Sequence, residues 1–311
     1  MPAPVDTTFQ QAIRAHKAGQ LAEAERLYRT VLQARPDHAD ARHNLGVLAV
    51  SVDKPAQALP LLKAALQAVP TQAQYWVSYI DALIRAGQAD VVLTGGSESM
   101  LCFGGIKAWE GLRVMSKDGC RPFCATRNGM VQGEGAAVFV FEERERAMAR
   151  GAPILAEVAG FAMTSDAADI VMPSQIGAER AMRGALRDAG LAPEDVGYIN
   201  AHGTGTTAND RTECAAVRQV FGAHADRLMI SSTKSMHGHL IGGTGAVELI
   251  ACLMALDEGV IAPTINWRER DPDCDLDVVP NEAREARMRA VMTNAFAFGG
   301  LNAVLVLTAP A

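Results

Sequence analysis

The sequence predicts two folds in one chain of 311 residues: an all-α helical repeat region, then a layered α-β-α domain. Three observations carry this. Residues 9 to 88 repeat with a period of 34. From residue 90 onward, short apolar runs that suit buried strands alternate with stretches of helical spacing, the pattern of an α/β domain. The chain also holds 28 Gly but only 5% aromatics, a balance that suits closely packed α/β structure.

The repeats come first. Ala24 recurs as Ala58, Leu27 as Leu61, Leu32 as Leu66, Ala34 as Ala68 and Pro36 as Pro70. Small and large apolar residues alternate at helical spacing. Pro36 and Pro70 each end a helix, because proline lacks the amide donor and restricts the residue before it. A third repeat opens at Tyr75-Trp76 and runs to Gln88, with Gly87 two periods after Gly19. Its second helix is due near Ala89, but the chain instead reads Asp90-Val91-Val92-Leu93-Thr94-Gly95-Gly96, an apolar β-rich run ending in Gly. The repeat stops halfway. This pattern resembles the tetratricopeptide repeat, a helix pair with Ala at the close contacts and Pro at the exit. Two uses stay open: a plain scaffold of helical hairpins, or a groove that docks a peptide or protein.

The junction Ile84 to Asp90 fits both neighbours, and no Pro/Ser/Gly-rich linker separates them. The expected boundary lies between residues 88 and 89, giving repeats over 1–88 and the α/β domain over 89–311. A fusion at a locally similar stretch accounts for it, as a selected architecture or as a recombined relic.

In the second part, strands are expected at Asp90–Leu93, Ala136–Phe141, Ile154–Gly160, Gly197–Asn200, Leu228–Ser232, Met288–Asn294 and Ala303–Leu307. Helices are expected at Ala178–Gly190, Thr212–Phe221 and Thr244–Glu258. The chemistry-bearing residues fall just after strand ends, where such folds build their sites. One group is Asn200-Ala201-His202-Gly203-Thr204-Gly205-Thr206; another is Ser232-Thr233-Lys234-Ser235-Met236-His237-Gly238-His239. Each histidine follows an apolar strand and sits beside Gly, which lets the backbone approach a substrate.

With Gly95-Gly96-Ser97-Glu98, Cys120-Arg121-Pro122-Phe123 and Gly133-Glu134-Gly135-Ala136, these motifs resemble the β-ketoacyl-acyl-carrier-protein synthases of type II. The nodulation-type branch is included in that similarity. The resemblance runs from about Asp90 to the C-terminus and covers roughly the second half of such an enzyme. It implies a thiolase-like fold and an acyltransferase that performs decarboxylative Claisen condensation of malonyl and acyl thioesters, in fatty acid or polyketide-type biosynthesis. Decarboxylating a malonyl thioester creates an enolate oxygen, which two neutral imidazoles can stabilise as fixed donors in a dry pocket. By resemblance His202 and His239 fill those roles, and Lys234 with Glu248 forms a supporting charge pair. His237 occupies a variable position of the family and has no catalytic role in this reading. Thr204 and Thr206 are assigned to the substrate. So are Phe296, Phe298, Gly299 and Gly300, within a loop from Asn294 to Asn302 that resembles the family's acyl gate. Phe298 would gate the tunnel with its ring and contribute its amide to the oxyanion hole. Ala297 stands where the family usually has Gly, which predicts a stiffer gate. Leu301 replaces a common Thr.

The family nucleophile is a Cys at a strand-to-helix turn, where the helix N-terminus favours the thiolate. None of Cys102, Cys120, Cys124, Cys214, Cys252 and Cys274 has that context. The half that would carry the nucleophile is expected to be missing, which leaves strands with uncovered apolar faces. The chain alone is therefore expected to be impaired. The alternative is a non-catalytic interaction protein, a repeat scaffold fused to a dead half-synthase.

Composition narrows the partners. A net charge of −6 argues against nucleic acid. No apolar run nears the ~20 residues that span a bilayer. The first residues lack a basic segment followed by an apolar core. No C-x-x-C pair occurs, and Cys120 with Cys124 makes a poor metal signal, so no metal and no cofactor are implied. Reduced thiols and a cytoplasmic location are expected. The partner implied by the resemblance is an acyl carrier protein with a phosphopantetheine-linked acyl or malonyl group; a homodimer or a synthase partner is a further expectation.

Overall fold

The protein is described here by a computed structural model that covers residues 5–166 and 169–310. Two compact units emerge. The first comprises residues up to Val92 with Val140–Arg146, and the second comprises Leu93–Phe139 with residues from Ala147 onward.

In the first unit the period of 34 becomes five helices: α1 (Val5–Lys17), α2 (Leu21–Ala34), α3 (Ala39–Ser51), α4 (Pro55–Ala68) and α5 (Ala73–Arg85). The first two pairs complete two repeats, and α5 is the lone first helix of a third. Ala24 and Ala58 are fully buried, as close contacts between helices require. The turn that follows each odd helix is the same device three times. Gly19, Asp53 and Gly87 all have positive φ, at +73°, +56° and +63°. In each, the next amide reaches back to a helix carbonyl: Gln20 to Ala15 at 2.9 Å, Lys54 to Ala49 at 2.9 Å and Gln88 to Leu83 at 2.8 Å. Such six-to-one bonds close helix C-termini through a left-handed residue. Between α3 and α5, His43 stacks on Tyr75 and bonds Ser78 at 2.9 Å, while Tyr75 donates to Asp40.

The chain continues through β1 (Val91–Glu98), α6 (Phe103–Gly111), β2 (Gly135–Glu142) and α7 (Arg144–Ala149). Strands β1 and β2 form a two-stranded sheet. The expected strand at Asp90–Leu93 thus runs on to Glu98, through Gly95 and Gly96. A Cβ on Gly95 would lie 2.2 Å from the Ala137 carbonyl, so glycine is what allows this close approach. Leu93 and Val138 are 72% and 71% exposed, which matches the expected uncovered apolar faces.

The second unit is built on β3 (Glu157–Ser165), α8 (Gln175–Ala189), β4 (Val196–Asn200), α9 (Thr207–Phe221), β5 (Met229–Ser231), α10 (Lys234–His237) and α11 (Thr244–Asp257). It closes with β6 (Val260–Ile261), β7 (Arg284–Glu285), β8 (Ala290–Ala297) and β9 (Leu301–Thr308). Five strands make one sheet in the order β3-β9-β8-β4-β5. The β8/β4 and β4/β5 pairs are parallel, and β3/β9 and β8/β9 are antiparallel. Met292 packs in a core with α8 and α9, whereas its neighbour Thr293 bonds Cys252 on α11. Successive strand residues face opposite sides, so α8 and α9 cover one face and α11 the other. The expected layered domain is present.

Besides β1, the strand expected at Met288–Asn294 lies at Ala290–Ala297 and the helix expected at Ala178–Gly190 at Gln175–Ala189, and two further boundaries have a physical reason. The strand expected at Ile154–Gly160 lies at Glu157–Ser165, because β9 extends to Leu301 and pairs with it through Ser165. The helix expected from Thr212 starts at Thr207, because the Thr206 hydroxyl caps it by accepting from the Asn209 amide at 3.3 Å. Among the described residues, no helix is long and apolar enough to cross a membrane.

Candidate active site

Two loops at the ends of parallel strands bring the predicted histidines together. His202 follows β4 in the loop that leads into α9. His239 follows α10, and its backbone is clamped by the segment before β2: its amide donates to Val131 at 2.7 Å, and its carbonyl accepts from Gly133 at 3.0 Å. The two rings meet edge to face, with centroids 5.5 Å apart and planes at 84°. The His239 tautomer follows from its neighbours. The Ile241 amide donates to Nδ1 at 3.0 Å, with the Thr244 hydroxyl 2.9 Å from the same atom. Nδ1 is therefore an acceptor, and the proton sits on Nε2 as an available donor.

Both rings are held neutral. Burial pushes His239 down to about 3, assisted by the charge of Lys234. Burial also pushes His202 well below the usual histidine range, with Lys234 and His239 acting in the same direction. Lys234 is fully buried and donates from Nζ to Glu248 Oε1 at 2.5 Å. Burial raises Glu248 to about 7, and the ammonium opposes that rise. The expected charge pair is thus present. His237 bonds the Gly238 carbonyl and the Thr233 hydroxyl and does not line the cavity.

A cavity of about 480 Å³ opens on these rings. His202, His239, Glu248, Thr204, Thr206, Phe296, Phe298, Gly299 and Gly300 all line it, whereas Lys234 stands behind. Its remaining wall is mostly apolar, with Met130, Met163, Ile170 and Met172. Phe296 packs 5.7 Å from the His202 ring. Thr206 has a structural task as well as a place in the wall, since its hydroxyl caps α9 and sits 2.9 Å from that of Thr204. The turn between β8 and β9 carries the gate-like loop, with Gly299 and Gly300 at φ +81° and +77°. Ala297 lies at the end of β8 outside the positive-φ region, so in this conformation its Cβ introduces no backbone strain.

The sequence reading missed the residues that hold His202. Glu213 on α9 accepts from the His202 and Gly203 amides, both at 2.8 Å, and from the Asn294 side chain at 3.0 Å. One turn earlier, Asp210 accepts from the Phe123 amide at 2.8 Å and the Gly205 amide at 3.2 Å, and lies 3.5 Å from the Arg127 guanidinium. Burial raises Asp210 to about 6 against the pull of these donors. Both carboxylates are buried, and their i, i+3 spacing puts them on one face of the first turns of α9. The signal was an Asp-x-x-Glu pair directly after the histidine loop. Starting the helix at Thr212 hid it.

This geometry is that of a thiolase-like domain with two neutral histidines and a buried lysine–glutamate pair. The chain belongs to the β-ketoacyl synthase family. The "Beta-ketoacyl synthase, C-terminal domain" family matches residues 155–268, and the "Beta-ketoacyl synthase, N-terminal domain" family matches residues 77–147. A tetratricopeptide repeat family matches residues 15–76. Nodulation protein E of Rhizobium leguminosarum bv. trifolii is 60% identical over 222 residues, covering 71% of this chain and 55% of that protein. The 3-oxoacyl-[acyl-carrier-protein] synthase 2 of Staphylococcus aureus is 45% identical over 231 residues, covering 72% and 57%. The chain thus spans somewhat over half the length of these relatives. Among solved structures, the ishigamide ketosynthase/chain length factor superposes with TM-score 0.72 at 44% identity, covering 76% of this chain and 58% of that one. A β-ketoacyl synthase from Burkholderia phymatum superposes with TM-score 0.69 at 32% identity, covering 83% and 72%. A type II polyketide ketosynthase in complex with its acyl-carrier protein superposes with TM-score 0.71 at 35% identity, covering 73% and 58%.

Proposed function

We propose that residues 89–311 form the histidine-bearing part of a decarboxylating condensing enzyme, joined at residue 88 to a repeat scaffold. The substrate is a malonyl thioester delivered on the phosphopantetheine arm of an acyl carrier protein. The observation that carries this reading is the edge-to-face pair His202–His239, both neutral, in the wall of a largely apolar cavity. Loss of CO₂ leaves an electron pair that becomes the enolate, with charge gathering on the thioester oxygen. Neutral N–H donors fixed before the reaction lower the cost of that charge. His239 offers Nε2–H, and His202 faces the same space. Lys234 and Glu248 hold the charge pattern behind them, Thr204 and Thr206 form part of the wall, and the Phe298–Gly300 loop controls entry. The carrier-protein complex of the similar polyketide ketosynthase supports the choice of partner.

Condensation also needs an acyl group held on an activated thiol. No cysteine is among the described residues lining the cavity. Cys102 is exposed, and the other five cysteines are buried. The chain alone therefore decarboxylates but does not elongate. Incubated with malonyl- and acyl-loaded carrier protein, it should give no ketoacyl product. A product abolished by Cys102→Ser would overturn this.

A second reading is favoured by one observation: Leu93, Val138 and Phe103 are strongly exposed on and beside a two-stranded sheet. Such a surface suits a non-catalytic interaction protein that binds a synthase chain or a second copy of itself. A chain that self-associates through this surface and releases no CO₂ from malonyl carrier protein would favour it.

A further inference from the structure

The gate-like loop is held on two sides, and only one of them is backbone. On the first side the Gly299 amide donates to the Ile170 carbonyl at 2.9 Å. The Gly300 carbonyl accepts from the Asp166 amide at 2.9 Å and from the Asn302 side chain at 3.2 Å. These bonds fix the glycines but not the ring between them and β8. Phe298 is 42% exposed, and its ring stacks on the indole of Trp109, with centroids 5.7 Å apart and planes at 29°. Trp109 belongs to α6 and lines the same cavity as Phe298. Helix α6 is lightly seated: Gly105 is its one buried residue among those described, and Phe103 at its start is 80% exposed. An aromatic plate on a weakly anchored helix can therefore move with that helix.

We propose that Trp109 is the positioning residue that holds the Phe298 gate across the cavity mouth. Acyl entry then requires the Trp109–Phe298 stack to part. The inference rests on the acyl-cavity reading above. It adds that access is set by α6 and not only by the loop that carries Phe298. No bond is made or broken in this step; one offset ring contact is exchanged for contact with the acyl chain. Substituting either ring removes the same contact, so the two effects should not add.

The test is stopped-flow binding of a fluorescent twelve-carbon fatty acid to the full chain and to W109A, F298A, W109A/F298A and W109F. Association and dissociation should both quicken in W109A by roughly 2- to 10-fold, the range that one aromatic pair supports. F298A should match it, the double variant should be no faster than either, and W109F should restore the slow rates. Unchanged rates in W109A, or fully additive effects in the double variant, would overturn the gate role while leaving the cavity reading intact. Failure of the parent chain to bind the probe would sink the cavity reading, and the gate with it. W109F guards against loss of folding, since it keeps a stacking ring on α6.

Discussion

At the residue scale, the site depends on small groups that fix larger ones. The Ile241 amide chooses the His239 tautomer, and a ring with the proton on Nδ1 would present an acceptor where the enolate needs a donor. The same economy appears in the repeats, where one left-handed residue closes each odd helix. Asp53 occupies the slot that Gly19 and Gly87 occupy one period away on either side. A non-glycine residue there costs about 1–2 kcal/mol relative to an unstrained position, less for Asp than for most. Asp53→Gly should therefore be neutral or stabilising by up to ~1 kcal/mol, and Gly19→Val destabilising by ~1–2 kcal/mol, as urea unfolding of the full chain followed by helical circular dichroism will show. A marked loss of stability in Asp53→Gly would mean that the Asp side chain holds the turn.

At the element scale, α9 is the part on which His202 depends. Its first turns carry Asp210 and Glu213, and Glu213 satisfies three buried donors from two different elements. Glu213→Ala should leave those donors unpaired at ~1–3 kcal/mol each, reduced by whatever water can reach them. A total loss of ~3 kcal/mol or more is expected in urea unfolding, together with loss of His202-dependent decarboxylation. Glu213→Gln keeps the shape and one acceptor and should lose less of both. Equal stability of Glu213→Ala and the parent chain would show that Glu213 is not the anchor. These elements were unequally legible in the sequence. The helices of the repeats read directly from a period of 34, because each repeat buries the same positions against its neighbour. The histidine loops read from motif and strand end. The start of α9 did not, since Thr207 to Arg211 lacks apolar spacing and is fixed by a hydroxyl cap. Nor did the far end of β3, whose length is decided by its partner β9. The Trp109–Phe298 stack brings together residues 189 positions apart, which no local pattern encodes.

At the scale of the whole molecule, buried neutral histidines tie stability to pH. A buried histidine with a depressed pKa stays neutral in the folded chain while the unfolded chain takes up a proton below about 6.5. His16, His43, His202, His237 and His239 are all shifted downward, each chiefly by burial. Their contribution is fully present above pH 6.5 and is lost as pH falls, for His239 down to about 3. Glu248, raised to about 7, and Asp210, raised to about 6, act in the opposite sense: their contributions are present in acid and lost as pH rises through those values. Five rings against two carboxyls leave a net loss on acidification, so the urea midpoint should be lower at pH 5 than at pH 7.5. An equal or higher midpoint at pH 5 would contradict the buried, neutral assignment. The proposed function rests on that neutrality too, because a protonated pair would meet the developing enolate in a different charge state and could not keep the tautomer seen here. The direct measurement is CO₂ release from malonyl-loaded acyl carrier protein by the full chain, followed beside His202→Ala and His239→Ala. Slow release without ketoacyl product is expected, with a fall of ~10²–10³ in either variant, the usual cost of losing one such donor. Release that is unchanged in His239→Ala, or no release from the folded parent chain, would contradict the proposed function.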